Sequence, residues 1–333
     1  MTVIARLLLA AVVVSPAAVS PAVVGPPGPG TGASPAMGEA QALASVDEPF
    51  VQILDIAPTG SFTLVNPSGD VTVRGGGERV RIEAVKRASG EAEQNTRLYM
   101  QSIGIAITTE RGAVVVRTTM PERANLQGGV DYLVTVPATV AVTVRVTVGD
   151  VRLSQLRGPV EASTVSGSLT ASGLGDVRVV TTVSGDVEIS DAGGDQVKTG
   201  TLSGAVRVSR VTAASIDVEV GNGSIAATDV RASRAYFRTE RGDLAYTGPL
   251  LRGGLYQLHA GGGSVRFTPQ GGTGFSLDAT SFRGEIRSTY PFPAASKTSA
   301  NDGATQTLQS TVGDGSASVT LRSLRGQVTV IGP

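Results

Sequence analysis

From Phe50 onward, the chain consists of short runs in which apolar and polar residues alternate. Gly, Asp, Ser and Pro separate these runs. Alternation with a period of two is the pattern of a half-buried β-strand, and no sustained helical period interrupts it. The pattern therefore predicts an all-β fold.

One element recurs along the chain: a glycine, a small or acidic residue, and then a strand of apolar, polar and apolar positions. The glycines that open it are Gly149, Gly167, Gly185, Gly204, Gly223, Gly242, Gly263 and Gly284. Their spacings are 18, 18, 19, 19, 19, 21 and 21 residues, which lie in the range of solenoid repeats. We therefore predict a β-solenoid, similar to a single-stranded β-helix, with coils of about 18–21 residues.

Aligned on these glycines, the repeats place an aliphatic residue at the same position every time. This column consists of Val151, Leu169, Val187, Val206, Ile225, Leu244, Val265 and Ile286. The next residue in each repeat is mostly polar, so alternation assigns the column to the interior and its neighbour to the surface. In the column directly after the glycine, no two acids are adjacent. We interpret this spacing as avoidance of repulsion between carboxylates about 4.8 Å apart.

The two ends of the folded region differ from the regular repeats. Between Phe50 and Val148 the candidate strands are longer, and we expect them to form a wider N-terminal β section. They are Val71–Val73, Val80–Ala84, Ile103–Thr108, Val114–Arg117, Tyr132–Val136 and Val140–Val148. After Ile286, we expect a loop over 290–305 and closing strands at 317–321 and 327–331.

The first residues have the pattern of an export signal. Arg6 precedes an uninterrupted apolar run, Leu7 to Val14, that is too short to span a bilayer. We predict a signal peptide over 1–22, with cleavage as late as Ala44, and no transmembrane domain in the mature chain. An uncleaved N-terminal anchor is the alternative. A flexible Pro/Gly-rich linker over 23–49 and a β-solenoid domain over 50–333 would follow.

Composition restricts the partners that this chain can have. Lys and Arg total 28, as do Asp and Glu, so no net charge draws the chain to nucleic acid, and we expect no nucleic-acid partner. The chain has no cysteine, which excludes disulfides and lipid attachment through a thiol. Stability outside the cell must then come from the core itself.

Three sequence features invite a functional interpretation, and each has a simpler structural one. His259 is the only histidine and occupies an outward strand position, without the paired groups that acid–base or zinc chemistry needs. The tripeptide Arg241-Gly242-Asp243 is one that adhesion receptors recognise, but the same glycine corner recurs along the chain. Gly75-Gly76-Gly77 opens no helix, so we predict a turn. We therefore predict no catalytic, cofactor-binding or metal-binding residue, and no cofactor.

The run Tyr132–Pro137, followed by Val142–Val144 and Val148–Val151, resembles the putative-adhesin family of exported bacterial β-strand-repeat proteins, a domain of unknown function. Further segments similar to the family's repeats are Ser68–Val71, Ser184–Val187 and Arg325–Val328. The resemblance covers most of 50–332. It implies a β-repeat fold and an adhesive role, and it offers no catalytic residue.

We expect a non-enzymatic protein, periplasmic, on the cell surface or extracellular, that mediates adhesion or cell-envelope interactions. Its ligand would be a polysaccharide or a protein of the envelope. Two alternatives stay open: a carbohydrate-binding or carbohydrate-active solenoid similar to a polysaccharide lyase, and a periplasmic accessory of a signalling system. A lyase would need clustered acids for calcium and a nearby Arg or Lys base, whereas the outward arginines of the repeats are dispersed.

Two adjacent substitutions test the inward and outward assignment. Val187→Asp places an unpaired carboxylate in the apolar column and should lower the free energy of unfolding by several kcal/mol. Glu188→Lys changes an outward residue and should alter it by no more than about 0.5 kcal/mol. Thermal unfolding followed by far-ultraviolet circular dichroism measures both effects. Equal losses for the two variants would show that the assignment is wrong.

Overall fold

A computed structural model describes residues 44–123, 125–292, 295–299 and 305–332. Within these residues strands dominate, as the alternation predicted, and one helix is present. The elements are β1 (Ala44–Leu54), β2 (Ser61–Ser68), β3 (Val71–Gly75), β4 (Val80–Gly90), α1 (Glu93–Ser102), β5 (Gly104–Glu110), β6 (Ala113–Thr119), β7 (Leu126–Val136), β8 (Ala141–Val148), β9 (Val151–Ser154), β10 (Pro159–Ser166), β11 (Leu169–Leu174), β12 (Asp176–Ser184), β13 (Val187–Ser203), β14 (Val206–Asn222), β15 (Ile225–Arg241), β16 (Leu244–Pro249), β17 (Leu255–Ala260), β18 (Val265–Gln270), β19 (Phe275–Ser281), β20 (Ile286–Ser288), β21 (Ala295–Ser299), β22 (Gln306–Val312), β23 (Ala317–Ser323) and β24 (Val328–Val330).

The predicted signal peptide over 1–22 and most of the predicted linker lie outside the described residues, so both stay predictions. The linker boundary at 49 is wrong. β1 begins at Ala44 and pairs antiparallel with β4 from the Ala44–Gly90 pair to the Leu54–Val80 pair. Residues 44–49 are extended because β4 supplies the partners for their backbone hydrogen bonds. No helix in the described part of the chain is long and apolar enough to cross a membrane.

Successive repeats pair as parallel strands within one long sheet of the described residues. Members of the predicted inward column lie directly opposite one another. The opposed residues are Val151, Leu169, Val187, Val206, Ile225, Leu244 and Val265. All of them are buried, so the prediction for this part of the column is confirmed. Each repeat has one extended segment before its glycine corner and one after it, and β13, β14 and β15 each supply both segments as one 17-residue strand. We call the outer surface of the segments before the corner face A, and that of the segments after it face B.

The corner glycine is required because neighbouring repeats approach closely there. Gly204 and Gly223 have φ values of 145° and 150°, in the region that favours glycine. A Cβ atom on Gly223 would lie only 1.8 Å from the carbonyl oxygen of Gly204, and one on Gly204 would lie 2.0 Å from that of Gly185. The buried Thr201 hydroxyl donates a hydrogen bond to the Gly185 carbonyl at 3.0 Å. Backbone packing and a buried hydroxyl therefore define each corner together.

The column after the corner glycine contains three adjacent acids, contrary to the expected spacing. Asp131, Asp70 and Asp150 are neighbours because β3 lies between β7 and β9. The Asp131 carboxylate accepts the backbone N–H of Asp70, and the Asp70 carboxylate accepts that of Asp150, both at 2.9 Å. Arg87 pairs with Asp131, and Arg152 pairs with the other two acids. Repulsion is offset by these charge-assisted hydrogen bonds, so the acids can be stacked.

The order of repeats in space departs from their order in sequence at both ends. Val328 lies between Val265 and Ile286, and β23 likewise lies between β17 and β19. The predicted contact of Val265 with Ile286 is therefore wrong, and β23 and β24 are inner strands instead of closing ones. At the other end, β2 and β3 lie between the β6–β7 and β8–β9 repeats.

Two inserted segments, which we call the N-terminal cap (76–140) and the C-terminal cap (271–316), therefore supply the outermost repeats. In the N-terminal cap, β4 pairs antiparallel with β1 and β7, and β5 with β6. In the C-terminal cap, β22 pairs antiparallel with β19 and β21, although a loop was predicted over 290–305. The ten-residue α1, which the sequence analysis missed, buries Thr96, Tyr99 and Met100. With only three buried residues, the helix has too few apolar positions for a helical period to be recognised in a sequence dominated by strand alternation.

The close contact at the corners makes a quantitative prediction. Gly223→Ala forces a Cβ atom against the Gly204 carbonyl at a positive φ, so we expect it to destabilise the fold by roughly 2–4 kcal/mol. Gly76→Ala is the matched control because a Cβ there meets nothing within 4 Å and φ is not positive. The control should change the free energy of unfolding by no more than about 0.5 kcal/mol. Urea unfolding of both variants compares them, and equal stabilities would contradict the corner model.

Candidate functional site

The strongest candidate for a binding surface is on face A, where outward side chains are in register across successive strands. Strands β14, β15, β17 and β23 are consecutive neighbours in the sheet. Their first outward column is Asp217, Tyr236, Gln257 and Thr320, and their second is Glu219, Arg238, His259 and Arg322. Neighbouring members of a column are one strand spacing, about 4.8 Å, apart. We call these eight residues the face A cluster.

Strand alternation positions the cluster. Between the two outward columns runs a column of buried inward residues: Val218, Phe237, Leu258 and Leu321. Because each inward side chain packs in the core, the side chains on either side of it along the strand must point outward. The backbone beneath the cluster is hydrogen-bonded to a strand on each side. The cluster is therefore held on a rigid surface, unlike a site built on loops.

His259 lies at the centre of the second column, with Arg238 and Arg322 opposite it on the two neighbouring strands. The centroid of its ring is 5.8 Å from that of Tyr236. Burial and the positive charges of Arg322 and Arg238 lower the pKa of His259 below its usual value. Its Nε2 atom is buried and has no hydrogen-bond partner among the described residues. The sequence placed this histidine on the outer face, and the structure adds that it is half-buried between two cations.

Asp217 is, after His259, the second residue of the cluster with a buried polar atom that no described residue hydrogen-bonds. Its Oδ1 atom is buried and lacks a hydrogen-bond partner among the described residues. Burial, with a smaller contribution from Glu219, raises the pKa of Asp217, while Lys198 on β13 acts in the opposite direction. A carboxyl with a raised pKa beside a second carboxylate is a combination that can hold and donate a proton.

The two arginines of the cluster differ in their partners. Arg238 donates a hydrogen bond to Glu240 on the same strand at 2.7 Å. Arg322 is exposed, and no ion pair joins it to another described residue. Its guanidinium donors are therefore available to a ligand.

The structure explains the other two sequence features by their local geometry. Gly242 of the tripeptide is a corner glycine with φ 145°. The Asp243 carboxylate accepts the backbone N–H of Ser264 in the next repeat at 2.8 Å, and Arg241 donates to Asn222 at 3.4 Å. The tripeptide therefore has a structural role at the corner. Gly75 is the last residue of β3, and Gly76 and Gly77 lead from it towards β4, where the chain enters the N-terminal cap. No helix follows these glycines directly.

An open groove in the N-terminal part of the described chain is a weaker candidate. It has a volume of about 430 Å³, and its lining includes Asp47, Arg87, Gln127 and Asp131. Arg87 and Asp131 are already paired with each other. Across the described ranges, no group of three or more His, Cys, Asp or Glu side chains is arranged to hold a metal ion.

Sequence reasoning singled out only His259 among the cluster residues. A usable signal was present, because Glu219, Arg238, His259 and Arg322 each stand four residues before a corner glycine. The residues of the first column each stand six before it. Alignment on the glycines assigns each of the eight residues to its column, but only the strand pairing shows that Thr320 and Arg322 lie beside Gln257 and His259.

These features define an all-β repeat protein with a long sheet of in-register strands and a polar surface cluster. The chain belongs to the Toastrack DUF4097 family, whose model matches residues 160–330. The resemblance that the sequence indicated is thereby confirmed at the level of the family, a domain of unknown function. No curated protein matches the chain.

Solved structures with some similarity to this chain have low identity. A putative adhesin from Parabacteroides merdae ATCC 43184 is 9% identical with a TM-score of 0.41, covering 86% of this chain and 96% of that one. A putative adhesin from Bacteroides fragilis NCTC 9343 is 11% identical with a TM-score of 0.38, covering 86% and 97%. A putative lipid binding protein from Parabacteroides distasonis ATCC 8503 is 10% identical with a TM-score of 0.40, covering 86% and 96%. Similarities at this level carry no information about function.

The raised pKa of Asp217 makes a pH-dependent prediction. Because the pKa of this carboxyl is higher in the folded chain than in the unfolded chain, the carboxyl stabilises the fold at pH values below its pKa in the unfolded chain. That stabilisation is lost as the pH rises through its pKa in the folded chain. Asp217→Asn removes the buried charge, so its melting temperature should exceed that of the wild type at pH 7. At pH 3 the two should melt alike. Glu188→Gln on face B serves as the control and should follow the wild type at both pH values. A lower melting temperature of Asp217→Asn at pH 7 would contradict the assignment.

Proposed function

We propose that this protein is a β-solenoid that acts without catalysis as a rigid binding surface, with face A contacting the ligand. Parallel, in-register pairing of consecutive repeats supports the solenoid. The observation that carries the binding role is the face A cluster, in which Asp217 and His259 have buried polar atoms with no hydrogen-bond partner in the described part of the chain. Such atoms cost free energy unless a ligand or water satisfies them.

The ligand that best fits face A is an extended polysaccharide of the cell envelope. Tyr236 offers an aromatic ring with polar neighbours, a combination that contacts the apolar face of a sugar while binding its hydroxyls. The columns repeat every strand, about 4.8 Å, which is close to the length of one pyranose unit in an extended chain. A polymer lying along the stack would therefore meet equivalent positions repeatedly.

Export is part of this proposal. Its support is the apolar run Leu7 to Val14 after Arg6, which has the length of a signal-peptide core. An exported protein of this kind acts in the periplasm, on the cell surface or outside the cell. An adhesive or envelope-binding role is consistent with each of these locations.

A second candidate function is polysaccharide cleavage, and Asp217 and Glu219 are the observation that favours it. They project from the same strand two residues apart, and the pKa of Asp217 is raised. Acid and base roles in sugar chemistry require two carboxyl groups with different protonation states. The arginines of face B, Arg152, Arg207, Arg266 and Arg287, are dispersed along the stack, so a ready base beside clustered acids is missing there and binding is favoured over cleavage.

One assay separates these functions. The purified protein is titrated with envelope polysaccharides, with calorimetry measuring binding and the release of reducing ends measuring cleavage. We expect binding without cleavage, and at least about a tenfold loss of affinity in Tyr236→Ala because an aromatic contact is removed. Arg266→Ala on face B is the control and should bind normally. Cleavage that Asp217→Asn abolishes would support the second candidate, and equal affinity of Tyr236→Ala and wild type would contradict the role of face A.

A further inference from the structure

The second outward column of face A concentrates positive charge on three consecutive strands. Arg238 on β15 is opposite His259 on β17, and His259 is opposite Arg322 on β23. Strands in register keep such neighbours about 4.8 Å apart along the stack. A guanidinium therefore lies on each side of one imidazole, on a surface whose backbone is fixed.

The side chains nearest to His259 and Arg322 in the two columns are uncharged, apart from Arg238, which has Glu219 opposite it in the second column. Beside the three residues, the first column presents Tyr236, Gln257 and Thr320, none of which carries a charge at neutral pH. Beyond Arg322 the second column continues with Thr280 on β19, which is also uncharged. The nearby carboxylates flank Arg238 or lie beyond Thr320. They are Glu219 and Asp217 on β14, Glu240 at the end of β15 and Asp278 on β19.

Only one of these carboxylates forms an observed ion pair with the column, the bond from Arg238 to Glu240 at 2.7 Å. Within the described chain, Arg322 has no such partner. The Nε2 atom of His259 is buried and has no hydrogen-bond partner among the residues that the structure describes. The exposed guanidinium groups around it belong to flexible side chains that can move aside for a ligand. An acceptor with negative charge is the one kind of group that can bind both His259 and Arg322, and Arg238 can donate to it as well, because a guanidinium has five N–H donors and Glu240 does not use them all.

We propose that Arg238, His259 and Arg322 together bind an anionic oxygen group, so that the ligand of face A is an acidic polysaccharide. This inference rests on the proposed binding role of face A and adds the charge of the ligand. Phosphate, sulfate and carboxylate share the required chemistry, because arginine binds each of them with charge-assisted hydrogen bonds. A protonated imidazole supplies the additional donor once the anion offsets the two guanidinium charges.

The chain has a single histidine, so one imidazole signal in a nuclear magnetic resonance spectrum reports on this site without assignment. The full protein is titrated with inorganic phosphate, and with sodium chloride at equal ionic strength, while the pH dependence of the His259 signal is recorded. Burial, together with the charges of Arg322 and Arg238, lowers the pKa of His259 in the free protein. We expect phosphate to raise that pKa in a saturable way, beyond the effect of screening by chloride. Identical responses to the two salts would overturn the proposal.

Two variants locate the site. Arg322→Gln should weaken phosphate binding at least about tenfold, because a charge-assisted contact is lost. Arg266→Gln on face B is the matched control and should leave binding unchanged. Circular dichroism establishes that both variants are folded. Equal phosphate binding by the two variants would place the anion elsewhere and overturn the assignment.

A final comparison separates this inference from the proposed function. Glucuronate and sulfate replace phosphate as probes, and their relative affinities identify the acidic group that the site prefers. Binding of neutral polysaccharides that depends on Tyr236, without any response of His259 to anions, would refute the anion site and leave the proposed function standing. A saturable response to anions in a protein that binds no polysaccharide would support the anion site and refute the proposed function.

Discussion

The whole stack depends on the contact between the backbone of one corner glycine and the carbonyl oxygen of the previous one. At Gly326 and Gly284 a Cβ atom would lie 2.2 Å and 2.3 Å from the carbonyl oxygen of the preceding corner glycine in the stack. No other residue can occupy these positions at the observed separation. The contact holds neighbouring repeats in one register, and the parallel hydrogen bonds on either side of the corner follow from it.

This register is also the origin of the candidate site. Side chains that are 19, 21 or 63 positions apart in sequence become neighbours because every repeat meets the corner at the same position. The interior beneath the site contributes as well. Phe237 contacts Tyr246 at a ring separation of 5.9 Å, and Tyr246 stacks on Phe267 at 5.7 Å. Large rings that fill the core beneath face A leave little freedom for the strands that carry the cluster.

The sequence predicted the features that are encoded within a single repeat, and it did not predict those that depend on which strands pair with each other. Alternation and the glycine spacing identified the inward column from Val151 to Val265, because both are properties of a single repeat. They could not show that Val328 lies next to Val265, since a strand's pattern does not name its partner. The same limit explains the missed β1, β21 and α1, each stabilised by its partners in the fold. His259 was noticed for its rarity, whereas its arginine neighbours became visible only through register.

Both ends of the stack are closed by insertions, and this has a consequence for how such proteins can vary. Gly263 and Gly326 are neighbours in space but 63 residues apart in sequence, because the C-terminal cap lies between them. Each cap is anchored to the body at both of its ends, so it does not fray as a chain terminus would. The regular repeats between the caps contact only their own neighbours. Duplication or loss of whole repeats in the gene would therefore lengthen or shorten the protein while the caps continued to cover both ends. The length of the protein could then change during evolution without destabilising its ends.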